Sequence, residues 1–345
     1  MPGDVDLTDL FSKPFTAAQA AERGFSLSVL RRWLRNGDIR RVVQGVYVGS
    51  HLPDTPTLRA KAVAAFLPGA VICGRTAAWI WGIGAAGTHD DKGKPLPAEF
   101  AVPSGTTLPR RNGCLGRIRN FEKGDVTTVA GVQVTTPLRT AADVARTEPL
   151  PEGIAILDAF LHQRQVSKRQ LDSMAGRFAG FAGVRRLTEA VRLADAGSTG
   201  PEETRLRLSL AEAGVPPAEP GWRVMSAFGR VLHRFSLAWP DLHLAADVEP
   251  PRKPPALAGA PDPSTTFHGP SAVSRADVGE RAAPSAPDGI PAIRVRSRSI
   301  GGVTWRVVEC GAGEVTANRD IVVAHVRHEL MTRSTAGPEP ARQAA

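Results

Sequence analysis

Residues 15–48, FTAAQAAERGFSLSVLRRWLRNGDIRRVVQGVYV, restrict the fold more than any other stretch of the chain. Thr16 is a good helix N-cap, and Gln19 three residues on completes a capping box. The Ala-rich run 17–23 is strongly helical. Gly24 ends it as a C-cap, since glycine enters the left-handed conformation without a Cβ penalty. Ser26 caps a second helix over residues 27–35. There Val29, Leu30, Trp33 and Leu34 form one apolar face, while Ser28, Arg31, Arg32 and Arg35 fall at i, i+3, i+4 and i+7 on the other. Asn36-Gly37 stops that helix. The β-branched runs 39–43 and 46–48 flank Gln44-Gly45 and predict a hairpin carrying Arg40 and Arg41. Two short helices, a tight turn and a hairpin make a winged helix-turn-helix.

The chemistry of that stretch points to double-stranded DNA. A major groove admits one helix whose exposed side chains donate to base edges and phosphates. Arginine suits both tasks, because its planar fork binds bidentately. From Arg23 to Arg41 the chain carries six arginines against one acid, Asp38. Arg31, Arg32 and Arg35 would address the groove, with Ser28 near the start of the helix and Arg40 and Arg41 holding phosphates. The competing reading is a solvated basic face on a structural helix pair. The net charge of +9 favours an anionic partner but does not choose between nucleic acid and membrane. No apolar run approaches the ~18 residues of a membrane span, and the polar N-terminus (Asp4, Asp6, Asp9) is no signal peptide. Cys73, Cys114 and Cys310 are widely spaced and form no C-x-x-C, so neither a zinc ribbon nor a disulfide framework is indicated. A reducing cytoplasm is the expected location.

A chain of 345 residues holds two or three domains by the usual measure. The pattern predicts an α+β multidomain protein: a winged domain over 1–54, an α/β middle domain over 55–148, a helical bridge over 149–198, and a last α/β domain over 199–332. The middle domain has helices at 57–66 and 75–81, the second with Trp79 and Trp81 as packing residues. A polar loop follows at 88–97, then short strands at 99–102, 115–119, 126–129 and 132–135. Arg110, Arg111, Arg117, Arg119 and Lys123 make it basic, either beside a phosphate backbone or as a soluble surface. Pro137 opens another helix. Residues 153–193 read as helical with a break at 176–183, their arginines forming a solvated face. The last domain reads as a helix after Pro201, strands at 222–224, 231–237, 242–248 and 303–308, and a helix at 320–331 with Ile321, Val322, Val323, Val326 and Leu330 as its apolar set. Residues 250–291 are rich in Pro, Ser, Ala and Gly and read as a disordered insert, and 333–345 as a disordered tail.

The order of the motifs resembles a known family. FTAAQAAERG followed by LRRWLRNGDIRRVVQGVYV resembles the N-terminal winged helix of AbiEi-type antitoxin and regulator proteins, and GRTAAWIWGI with GVQVTTPLRTAADVAR resembles their middle segment. The resemblance implies a transcriptional regulator and antitoxin of a type IV toxin-antitoxin (abortive infection) system. It would repress its own operon and oppose a nucleotidyltransferase-like toxin encoded beside it. GPEETRLRLSLAEAG, HRFSLAWPDLHLAADVEP and GGVTWRVVE resemble the Vsr-related branch of the PD-(D/E)xK nuclease fold, a restriction-endonuclease-like domain.

Cleavage in that fold needs carboxylates converging on Mg²⁺. By resemblance Glu203 matches the helix acid. Ser236, which has no fixed charge, stands where a strand acid is implied, and the next acidic pair becomes Asp247 and Glu249, followed by Pro250 in place of Gly. The His and helix that should follow are replaced by the Pro-rich stretch. Glu203, Asp247 and Glu249 are therefore remnant candidates only, and no catalytic or metal-binding residue is assigned. His325 and His328 on one helix, and His233 and His243 on separate strands, are surface or core residues. Cofactors are none, with Mg²⁺ entering only if the domain is active. Two alternatives stand beside the regulator: a Vsr-like, metal-dependent DNA endonuclease targeted by the winged helix, and an interaction protein for which DNA contact is secondary.

Overall fold

The computed structural model describes residues 7–87, 89, 95–249 and 293–336. The chain forms two compact units, residues 1–208 and 209–345. Twelve helices and several sheets among the described residues make a mixed α+β protein. Among these residues no helix is long and apolar enough to cross a membrane.

The first unit opens with α1 (Leu7–Phe11), β1 (Phe15–Thr16), α2 (Ala17–Glu22), α3 (Leu27–Asn36), β2 (Ile39–Val43) and β3 (Val46–Gly49). Thr16 and Gln19 close the capping box: Gln19 N donates to Thr16 Oγ1 at 3.2 Å, and Thr16 N to Gln19 Oε1 at 2.8 Å. Strands β1, β3 and β2 form one antiparallel sheet in that order. The helices close over it through Leu10, Phe15, Ala20, Leu30, Trp33 and Ile39. Trp33 takes the edges of Phe11 and Phe25, with ring centres 5.1 and 5.0 Å away. A buried aromatic of this kind contributes about 3–5 kcal/mol by the cost of truncating it, so this small module has its own core.

Next come α4 (Pro56–Phe66), β4 (Val71–Ile72), α5 (Gly74–Ile80), β5 (Ala98–Val102), β6 (Cys114–Ile118), β7 (Val126–Val129) and β8 (Val132–Thr135). The sheet order is β6-β5-β4-β8-β7, with β4 central, antiparallel to β5 and parallel to β8. β4 is the one strand of this sheet that the sequence does not predict. Val71 and Ile72 are both buried, and two residues offer no alternation to read. Part of the 88–97 loop lies outside the described residues. Helices α6 (Pro137–Thr147), α7 (Leu150–His162), α8 (Lys168–Arg177) and α9 (Val184–Leu193) share one apolar core with α5, including Ala78, Ala145, Ile154, Leu157, Phe160 and Leu187. The 153–193 stretch breaks a second time, before α8, where Ser167 opens a new capping box with Gln170.

Arg117, Arg119 and Arg177, expected on a basic surface, are structural instead and join Arg139 and Arg146 in buried ion pairs. Arg139 on α6 donates to Asp125 at 2.5 Å and to Asp143 at 2.8 Å. Arg177 on α8 reaches the same Asp125 at 2.7 Å, and Arg119 reaches Asp143 at 3.2 Å. Arg139 and Arg146 lie over the Phe178 ring, 5.1 and 4.1 Å from its centre. Arg117 pairs with the buried Glu99 at 3.3 Å.

The unit boundary falls within α10 (Pro201–Glu212). The second unit continues with β9 (Glu219–Pro220), β10 (Arg223–Met225), β11 (Val231–Arg234), β12 (Leu237–Trp239), β13 (Leu244–Glu249), β14 (Arg294–Ile300), β15 (Val303–Gly311), α11 (Ala312–Ala317) and α12 (Arg319–Ala336). Its main sheet runs β14-β15-β13-β12-β9, with β13 and β15 parallel and the other neighbours antiparallel. Strands β10 and β11 form a separate hairpin. On α12, Val322, Val323, Val326 and Leu330 are buried, but Ile321 is exposed, so the apolar set is one residue narrower than the pattern implies. The 250–291 insert lies outside the described residues. So does most of the 333–345 tail, but residues 333–336 belong to α12, which corrects the start of that segment.

Candidate nucleic-acid interface

Helix α3 presents its two faces differently. Leu30 and Trp33 are buried in the core, with Val29 and Leu34 packed beside them. Ser28, Arg31, Arg32 and Arg35 are exposed, and none of these arginines has an ion-pair partner among the described residues. The helix starts after Ser26, whose backbone is extended but whose side chain makes no capping bond to a backbone N–H. Instead Ser26 Oγ and Ser28 Oγ are 2.7 Å apart, so Ser28 is held beside the helix start. Gly37 at φ +80° ends the helix and turns the chain into β2.

The other arginines of this stretch differ in availability. Arg23 is taken by Asp9 at 2.9 Å, and Lys13 shares that carboxylate at 3.1 Å. Arg40 is half-buried and donates to the Leu52 carbonyl at 3.0 Å. That bond competes with a phosphate for the same guanidinium. Arg41 is exposed and lies 5.9 Å from the centre of the Tyr47 ring.

The hairpin does not stand free. Gln44 N donates to Asn112 O at 2.9 Å, and Asn112 N returns to Gln44 Oε1 at 3.0 Å. Arg111 donates to Gln44 O at 2.9 Å while its guanidinium lies 4.5 Å from the Phe66 ring centre. Behind the turn, Val43 and Val46 pack on Ala62 of α4. No local pattern announces this clamp, because its partners are more than sixty residues apart. A neighbouring cleft of about 200 Å³ includes Arg59, Arg75, Glu99 and Glu148 in its wall. Its charges satisfy each other or a near neighbour: Arg59 binds Asp54 at 2.6 Å and Arg75 binds Glu148 at 2.8 Å.

Two of the three candidate acids, Glu203 and Asp247, hold other partners. Glu203, in the first unit, accepts from Thr199 N at 2.8 Å and from Thr199 Oγ1 at 3.1 Å. Asp247 on β13 accepts from Ser236 N at 2.9 Å and Ser236 Oγ at 3.2 Å, and its other oxygen is 3.1 Å from His233 Nε2. Ser236 Oγ in turn accepts from Val248 N at 3.1 Å. Ser236 lies in the bend that divides the expected 231–237 strand into β11 and β12, and its bonds to Asp247 and Val248 tie that bend to β13, in the place where the nuclease pattern implies a strand acid. Glu249 is exposed at the end of β13. The buried Glu309, register partner of Asp247 on β15, is absent from the sequence reading and binds Arg298 at 2.5 Å. The alternation of Arg294, Arg296 and Arg298 was the available sign of a buried acid on the next strand. This donor set does not fit Mg²⁺, which wants oxygens converging on one point. Among the described residues no three His, Cys, Asp or Glu side chains group as metal ligands would.

An uncharacterized protein of Mycobacterium tuberculosis (Rv2248 in strain H37Rv, MT2308 in strain CDC 1551) is 28% identical over 217 residues, spanning 63% of this chain and 75% of that protein. Among solved structures, the crystal structure of RV2827C protein from Mycobacterium tuberculosis aligns with a TM-score of 0.35 and 14% identity, over 62% of this chain and 84% of that one. Residues 70–194, from β4 to the end of α9, match the family model of the AbiEi antitoxin C-terminal domain.

Proposed function

We propose that this chain is a sequence-specific, DNA-binding regulator whose residues 1–54 act as a winged helix-turn-helix. The observation that carries the proposal is the outer face of α3: Arg31, Arg32 and Arg35, exposed and without ion pairs among the described residues, on a helix whose other face the core holds rigid. Arg32 and Arg35 reach phosphates or base edges with Arg31, and Ser28 sits at the entering end. Arg41 is the phosphate contact of the hairpin, with Arg40 joining it only by giving up its bond to Leu52. The AbiEi match over residues 70–194 supports an antitoxin role. On that reading the chain represses its own operon and opposes a nucleotidyltransferase-like toxin encoded beside it. The second unit is a relic of a Vsr-like nuclease fold, in which Ser236 and Asp247 now tie the β11–β12 bend to β13.

Two measurements test this. A mobility-shift titration with DNA from upstream of the chain's own gene should show binding that weakens steeply with salt, as released counterions require. No binding to that or any other duplex at low salt would sink the DNA reading. Co-expression with the neighbouring gene tests the antitoxin role: growth arrest by that gene, relieved by this chain, is the expected result. An endonuclease would instead nick plasmid in Mg²⁺ or Mn²⁺ and lose that activity on Asp247→Asn.

A further inference from the structure

The second unit carries a feature that the α3 interface does not explain. Strands β10 and β11 form a two-stranded hairpin whose inner side, Val224 with Trp222 before it, packs on Phe235, Ala238, Trp305 and Val307. Its turn is tightly bonded. Ser226 N donates to Arg230 O at 2.7 Å, Gly229 N to Ser226 O at 3.0 Å, and Arg230 N to Ser226 Oγ at 3.0 Å. At the apex of this fixed turn Phe228 is 98% exposed. Met225 and Leu232 beside it are also exposed. Residues 221–240 hold Arg223, Arg230 and Arg234 and no acid. Arg223 and Arg230 are exposed, with no ion pair among the described residues.

We infer that this hairpin is a second nucleic-acid contact, in which Phe228 meets a base face while Arg223 and Arg230 hold the adjacent phosphates. The combination selects the partner. An apolar protein surface would cover the ring but leave the arginines uncompensated. An anionic membrane is gripped by larger basic clusters, typically 4–8 Lys or Arg. A nucleic acid offers both needs side by side, a π-face and a charged backbone. The ring either stacks on an unpaired base or wedges into a duplex step, and both use the same chemistry. The inference stands apart from the α3 reading, because it concerns residues of the second unit alone.

The test uses the full-length chain with Arg31→Ala and Arg35→Ala as background, and fluorescence anisotropy on one labelled sequence as single strand and as duplex at low salt. Residual salt-sensitive binding is expected to one of the two forms; which one separates stacking from wedging. Adding Phe228→Ala should weaken it about 5- to 150-fold, the range of one stacked base. Adding Arg223→Ala with Arg230→Ala should lower the salt slope by about 1.4–1.8, two phosphate contacts' worth. Circular dichroism and thermal unfolding should be unchanged, since all three side chains are exposed. No residual binding in the background, or residual binding indifferent to the hairpin, overturns the inference. So does a hairpin variant that keeps nucleic-acid affinity but no longer sediments with phosphatidylserine vesicles. If the α3 variant binds like the unaltered chain, the α3 reading fails while the hairpin variants still give their own answer.

Discussion

Replacing Asp125 by alanine should destabilise the first unit by about 3 kcal/mol. Asp125 is the hinge of the ion network: it accepts from Arg139 at 2.5 Å, from Arg177 at 2.7 and 3.0 Å, and from the Glu122 N–H at 3.0 Å. Its side chain and that of Arg139 are each only 4% exposed. Removing one member of a buried pair costs about 3–5 kcal/mol, because the other charge is left desolvated. The lower end applies, since Arg139 keeps Asp143 at 2.8 Å and Arg177 keeps Glu122 at 3.3 Å. For a unit of this size that is a loss of about 6–12 °C in Tm. Calorimetry of the full chain gives the shift, and hydrogen exchange in α6 assigns the transition to this unit. The effect should also depend on pH. Burial by itself would raise the Asp125 carboxyl, but the bonds from Arg177 and Arg139 outweigh it and hold the group below its ordinary 3.8. A carboxylate lowered in the folded state adds stability that is complete above the ordinary value and disappears as pH falls through the lower, folded one. The gap between the two proteins should therefore be flat from neutrality to about pH 4 and narrow on further acidification. Arg192→Ala, at the exposed pair with Glu189, is the control and should leave the transition in place. A shift under about 2 °C for Asp125→Ala, or a gap that does not narrow in strong acid, would refute the argument.

Other changes have equally definite outcomes. Gly183→Ala should cost at least about 2 kcal/mol in a urea titration, because φ is +82° and the new Cβ would lie 2.4 Å from the Arg146 carbonyl oxygen. Arg111→Ala should leave global stability nearly unaltered but speed exchange of the Gln44 and Asn112 amides, as the clamp on the hairpin loosens. Burial pushes the Cys114 thiol up from 9.0 to about 11, so alkylation at pH 8 should run at least about 10-fold slower than in the denatured chain; equal rates would contradict that burial.

Much of this was legible from local pattern. The capping box at Thr16, the amphipathic α3 and the Gln44-Gly45 turn depend on neighbours within a few residues, so the sequence shows them directly. Strands β7 and β8 coincide with the predicted ranges, since β-branched residues flank a glycine turn at Gly131. What escaped depends on distance. β4 is two residues long and recognisable only from the strands beside it. Arg119 and Arg177 read as solvent-facing cations, because their partners, Asp143 on α6 and Asp125 just before β7, are distant in sequence. Arg40 was read as free for phosphate, and only the folded chain brings the Leu52 carbonyl to it. Ser236 reads from the sequence only as a missing acid, and its structural bonds to Asp247 and Val248 are visible only in the folded chain. Glu309 is not legible because its partner Arg298 lies on β14, a strand with no counterpart among the expected elements.

The most direct test remains α3. Fluorescence anisotropy with the chain's preferred duplex should be compared between the unaltered protein and Arg31→Ala with Arg35→Ala, each confirmed folded by its thermal transition. The expected result is loss of discrimination between that duplex and an unrelated one, with weak salt-sensitive binding left behind. Equal affinity for the preferred duplex in both proteins would show that α3 does not read DNA.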